Sequence, residues 1–174
     1  MKSSLKFGLI TGVISIIWLF GSFTLFTWLN SKYGWGIQAS TIRGIGGLIS
    51  IPIQGIGIYL AMQNVKQLTG SLSYTQGIKT GLTVAVTIAV IVAVFSFLYC
   101  RFLNPGYADF MISDAQKAMI AKGAMQQQIA IESAEIGKQF TTGAQVTMAL
   151  VGQFVTGAII TLVLGLFIKT KRSV

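Results

Sequence analysis

The chain is 174 residues long, 53% hydrophobic and only 10% charged, against about 25% charged for an ordinary soluble domain. That balance excludes a water-soluble globule and reads as an all-α membrane protein. With no His and only four acids, Asp109, Asp114, Glu132 and Glu135, there is little from which to build a metal site or a general acid/base pair, so neither a cofactor nor an enzymatic activity is expected.

The thirteen Lys and Arg give a formal net charge of +9, but they stand at the ends of apolar runs, where membrane topology accounts for them. Nucleic acid is therefore not an expected partner. The single Cys, Cys100, has no second thiol in the chain with which to form a disulfide.

Four uncharged stretches each approach or exceed the about 20 residues that a helix needs to cross the hydrocarbon core. They run over about 7–29, 44–62, 80–100 and 144–168. The first follows Lys2 and Lys6 but is too long for a secretory signal and lacks a cleavage site ending in Ala, so it reads as a retained helix. Trp28, Tyr33 and Trp35 at its far end suit the headgroup zone, while Trp18, in mid-span, reads as packing. Gly8 and Gly12 in this span stand at the GxxxG spacing that lets helix backbones approach closely.

The second span carries Gly44, Gly46, Gly47, Gly55 and Gly57 around Pro52 and Gln54. Pro52 lacks an N–H and presses on the carbonyl of Leu48, which predicts a kink or a local unwinding. Broken helices at mid-membrane often form transporter substrate sites, so Pro52 and Gln54, with Gln153 from the fourth span, are a candidate polar substrate site. The other reading of the same residues is a packing helix with Gln54 hydrogen-bonded to Gln153. None of the four spans holds an ionisable Asp, Glu, Lys or Arg, which argues against ion-coupled transport by one copy.

Gly77 and Gly81 open a run of small residues that continues through Ala85, Ala89 and Ala93 in the third span, and Gly157, Thr161 and Gly165 share one face of the fourth. These grooves serve either intramolecular bundling or a homo-oligomer. Arg43 and Arg101 fall at the ends of spans two and three, placed either to anchor the helices at the headgroups or to bind lipid phosphates bidentately.

Residues 102–143 are the one substantial stretch outside the spans. Asn104-Pro105-Gly106 stops the third helix. A helix is predicted from about Ser113, with Ser113 as N-cap and Asp114 near its positive end. Met111, Ala115, Ala118, Met125, Ile129, Ile136 and Phe140 form an apolar stripe on an amphipathic insert, and Gly123 marks a bend or break. Basic residues at the termini and in the 63–79 loop place both termini in the cytoplasm, with Lys169, Lys171 and Arg172 adding attraction to anionic lipid. The insert then lies outside.

Three stretches together carry a family resemblance: Lys6-Phe7-Gly8-Leu9-Ile10-Thr11-Gly12, Tyr74-Thr75-Gln76-Gly77-Ile78-Lys79-Thr80-Gly81, and Phe102-Leu103-Asn104-Pro105-Gly106-Tyr107. They resemble the bacterial membrane family called domain of unknown function 4199, common in Bacteroidota. The resemblance implies four spans and a charged helical insert between the third and fourth; here the insert is poorer in charge and richer in Gln and Ala. It brings no functional residues with it.

The expected protein is thus a non-enzymatic bacterial inner-membrane subunit of four transmembrane helices. Its expected partners are the lipid bilayer, a membrane or periplasmic protein docked on the insert, and further copies of itself. The alternative is a small transporter or lipid-binding protein with a mid-membrane polar site.

Overall fold

A computed structural model describes residues 2–168 of the chain. The basic cluster Lys169, Lys171 and Arg172 lies outside the described residues. All regular structure among those described is helical, as a chain surrounded by lipid requires, because a helix satisfies its backbone polar groups within itself.

The first span is one rod, Ser3–Tyr33, made of α1 (Lys2–Ile16), a π-helical turn (Ile17–Gly21) and α2 (Ser22–Tyr33). It ends at Gly34, whose φ of 64° is open to glycine and whose N–H closes on the Asn30 carbonyl at 2.9 Å. The Asn30 side chain then holds the loop by exchanging two hydrogen bonds with the backbone of Ile37. The second span is α3 (Ala39–Thr69), which runs through Pro52 as continuous helix. The predicted unwinding at Pro52 does not occur.

After α3, a capping box starts α4 (Tyr74–Leu98): the Gln76 N–H donates to Ser73 Oγ at 3.2 Å, and the Ser73 N–H donates to Gln76 Oε1 at 2.9 Å. A second π turn (Tyr99–Leu103) prolongs α4, closed by the Asn104 N–H on the Tyr99 carbonyl at 2.7 Å. The last span is α7 (Thr142–Ile168). Each of the four predicted apolar runs lies within one of these longer helices, and all four are long and apolar enough to cross a membrane.

α4 is the hub of the bundle, packing chiefly against α7 on one side and α1 on the other. Small residues make both contacts close. A Cβ added at Gly8 would stand 2.7 Å from the Thr87 Cβ, and one at Gly12 would stand 2.8 Å from Ile91 Cδ1. Toward α7, a Cβ at Gly81 would meet Thr161 at 2.5 Å, and one at Gly157 would meet the Ala85 Cβ at 2.6 Å. Gly165 lies against Tyr74 and Ile78, and Gly77 faces the Gly165 backbone. The predicted small-residue grooves are therefore filled by partners within the same chain.

At the termini end, the Ser3 hydroxyl donates to Asn64 Oδ1, and Lys66 Nζ reaches the Ile168 carbonyl at 3.3 Å, a favourable place for a cation at a helix C-terminus. The core there is aliphatic, built on Ile58, Met62, Val84 and Ile88. At the insert end it is aromatic, with Phe23, Tyr99, Tyr107 and Met111 buried and Phe20, Phe95 and Phe140 packed on them. Large apolar side chains such as Leu48, Ile17 and Phe167 stand exposed along the spans, where lipid rather than water is their natural surround.

The insert departs from its prediction. Its first helix begins at Tyr107, not at Ser113, and extends to Ala121 as α5; a second, α6, covers Gln126–Gln139. The earlier start is explained by Tyr107, whose ring is drawn into edge-to-face contact with Phe23 and Phe140. The break falls at Gly123, with φ of 74°, as its position in the pattern predicts. α5 and α6 pack antiparallel, joined by Gln116 Nε2 donating to Ser133 Oγ at 3.0 Å, with Ile112 against Gly137. Met111 is buried on α5, whereas α6 buries no residue, so the predicted single apolar stripe is divided between two helices.

Candidate functional site

A cavity of about 210 Å³ lies inside the bundle at the insert end. All four spans and the insert contribute to its wall: Leu19, Phe20 and Phe23 from the first span, Arg43 and Gly47 from α3, Val92, Ser96, Tyr99 and Cys100 from the third span, Tyr107 from α5, and Gln145, Met148, Ala149 and Gln153 from α7. Both π turns supply lining residues, Leu19 and Phe20 from one and Tyr99 and Cys100 from the other. π turns are uncommon and recur at functional sites.

Arg43 is the cation of this cavity. It stands in the second turn of α3, half-buried, and its Nη2 donates to Gln145 Oε1 at 2.6 Å. Gln145 is itself fixed: its Nε2 donates to the Gln139 carbonyl at 2.7 Å, which leaves its oxygen as the end that faces Arg43. Below the guanidinium, the Phe140 ring centroid is 5.1 Å away, within cation–π range. Among the described residues no carboxylate pairs with Arg43. Asp114, which reaches the start of the helix that carries Arg43, accepts the Ala39 N–H there at 2.8 Å.

The other polar groups of the lining are hydroxyls, amides and a thiol, each able to donate a hydrogen bond. Tyr107 is 6% exposed, and its hydroxyl has no hydrogen-bond partner among the described residues. Burial pushes its pKa up to about 12; the nearby Arg43 charge opposes that rise, and Tyr99 and Cys100 add to it. The phenol therefore keeps its proton at neutral pH. Tyr99 accepts from Asn104 Nδ2 at 3.1 Å, which leaves its own proton to give. The Gln153 side-chain amide lines the cavity without a hydrogen-bond partner among the described residues. Ser96 is spent on the Val92 carbonyl at 2.8 Å.

The other sequence-derived candidates separate. Gln54 is 1% exposed and donates to the backbone carbonyl of Gln153 at 2.9 Å; it meets the backbone of Gln153 and not its amide. Pro52 faces outward, into an entirely apolar groove shared with Ile56, Tyr59 and Ile160. The three thus do not converge on one polar pocket. Arg101 is exposed and lines no part of the cavity, so the two arginines occupy opposite environments. Sequence reasoning passed over Gln145 and Tyr107. A Gln in the first turn of an apolar helix, and a Tyr directly after Asn-Pro-Gly, were the signals available for them.

Four helices long and apolar enough to span, with a two-helix insert and an interior cavity that holds one arginine, define a multi-pass helical membrane protein. The chain belongs to the family described as protein of unknown function (DUF4199), whose model matches residues 6–170. No curated protein and no solved structure matches the chain.

Proposed function

We propose that this chain is a non-enzymatic protein of the bacterial inner membrane, with cytoplasmic termini, that binds an anionic ligand in the cavity closed by the insert. The observation that carries the reading is Arg43, a half-buried guanidinium with no carboxylate partner among the described residues, facing a cavity whose remaining free polar groups, the Tyr107 and Tyr99 hydroxyls and the Gln153 amide, can each donate a hydrogen bond. A half-buried cation without a counter-charge keeps part of its desolvation cost uncompensated, and an anion in the cavity supplies that counter-charge. Tyr107 and Tyr99 can then share the anion's oxygens. Thermal unfolding of the detergent-purified protein in sodium oleate and in inorganic phosphate tests this. The wild type should be stabilised by at least one of them and Arg43→Gln by neither; an unchanged wild type in both overturns the reading.

A second reading, docking of a membrane or periplasmic protein on the insert, is favoured by one observation. The α5–α6 tip carries Ile120 and Met125 about two-thirds exposed, and α6 buries none of its residues. Ile120→Asp with Met125→Ser leaves the cavity untouched and should release a co-purifying partner if that surface is used.

A further inference from the structure

We infer that the ligand is a membrane-resident amphiphile, a compact carboxylate or phosphate head on a single apolar chain, held with its head at Arg43 and Tyr107 and its chain leaving sideways past Met148 into the bilayer. This rests on the anion-binding reading above and adds to it where the ligand comes from and how it enters.

The cavity is closed at both ends. At the insert end, Tyr107 and Gln145 are each 6% exposed, and the Phe23, Tyr107 and Phe140 rings stack edge to face at 5.5 and 5.7 Å. Toward mid-membrane, the hydrogen bond from Gln54 to the Gln153 carbonyl and the Gly157–Ala85 contact seal the bundle. The side is different. Among the described residues, Met148 is the one exposed residue in the lining, at 49%, and the Gly47 backbone faces open space, with none of their atoms within 4 Å of where a Cβ would stand.

Depth decides what this opening meets. Gly47 lies roughly 12 Å along α3 from Ala39, and Met148 roughly 9 Å along α7 from Thr142, at a rise of about 1.5 Å per residue. The opening is thus set within the spans and looks onto acyl chains, not water. The lining matches, with Arg43 and Tyr107 at the closed end and Leu19, Val92, Met148 and Ala149 completing an apolar passage. Size agrees as well. A cavity of about 150 Å³ holds one benzene, so 210 Å³ takes a head and a few carbons, and a longer chain must leave by the side.

The test compares probes that share a head and differ in chain, on the full-length protein in detergent by native mass spectrometry. Oleate and oleoyl lysophosphatidate are the chain-bearing probes; acetate and inorganic phosphate are the head-only ones. The wild type should bind at least one chain-bearing probe at least about tenfold more tightly than its head-only partner. Gly47→Trp and, as a second plug, Met148→Trp should weaken that binding about tenfold or more. Gly44→Trp, on the same helix in open space but outside the cavity lining, should bind like the wild type. Head-only probes bound as tightly as oleate, or plugged variants that fold and bind oleate normally while Arg43→Gln loses it, overturn the sideways amphiphile and leave the anion site standing. Binding that is indifferent to Arg43 overturns both.

Discussion

The Asp114 carboxylate, midway along the first helix of the insert, accepts the backbone N–H of Ala39 at the first residue of α3, 2.8 Å away and 75 positions distant in sequence. Gln38, at the N-cap position of α3, makes no side-chain cap bond. The insert therefore supplies the cap that the local sequence lacks, with a negative charge at the positive end of a long helix. The same contact holds α5 over the cavity and fixes the start of the helix that carries Arg43 one turn later.

Asp114→Ala should remove that cap at about 1 kcal/mol, the usual cost of losing a capping side chain. The loss should be local: hydrogen exchange should quicken at the first amides of α3 and through α5, while α4 and the termini end keep their protection. Uniform acceleration along all four spans would show that Asp114 acts on global stability instead.

The glycines offer a paired comparison. Gly81→Ala puts a Cβ within 2.5 Å of Thr161 Cγ2 and 2.8 Å of Met62 Cε, so α4 and α7 must separate, at a cost of about 1–3 kcal/mol typical of overpacking. Gly44→Ala meets nothing within 4 Å and gains helix propensity of up to about 1 kcal/mol. Equilibrium unfolding in mixed detergent micelles should move the two variants in opposite directions. Equal shifts would mean that the α4–α7 contact is looser than its geometry shows.

Gln54→Leu keeps the side chain's bulk and removes its hydrogen bond to the Gln153 carbonyl. Interhelical hydrogen bonds in membranes average about 0.6 kcal/mol, so the stability loss should be of that size and ligand binding at Arg43 should persist. A collapse of binding in Gln54→Leu would mean that the seal between cavity and mid-membrane depends on this one amide.

The four spans were legible because the signal for a span is additive: long stretches without charge can be read wherever they lie, and the break at Gly123 needs only a residue that accepts positive φ. The site was legible only in fragments. Arg43 stands where an anchoring arginine belongs, and what turns it inward is Gln145, 102 positions away. Asp114 looked like the first-turn acid of its own helix and serves another. Neither π turn has a compositional mark, yet each sets lining residues of the cavity. Gln54 and Gln153 were paired from sequence as two polar side chains in apolar helices, and the contact is between one amide and one carbonyl. Local pattern identifies which segments cross; which polar groups meet depends on how the helices rotate against one another, and that is decided by packing at glycines such as Gly81 and Gly157.

The Tyr107 phenol gives the site a signature in pH. Its pKa, ordinarily 10.0, is pushed up to about 12 chiefly by burial. In the unfolded chain the phenol loses its proton around pH 10, while in the folded protein it holds it to about pH 12. Between those values the folded state binds more protons than the unfolded one, so stability must fall as pH rises. The contribution of Tyr107 is therefore complete below pH 10 and is lost progressively from pH 10 to about 12. Tyr107→Phe should flatten this alkaline loss and leave stability below pH 10 little changed, since the hydroxyl has no partner among the described residues to forfeit. Arg43→Gln should push the Tyr107 titration still higher, because the guanidinium is the one group that opposes the rise. Phenolate absorbance against pH, with the Tyr107→Phe curve subtracted, reads both effects. A Tyr107 titrating at its ordinary value would mean that water enters the cavity freely from the insert end, against the closure that the Phe23, Tyr107 and Phe140 rings provide.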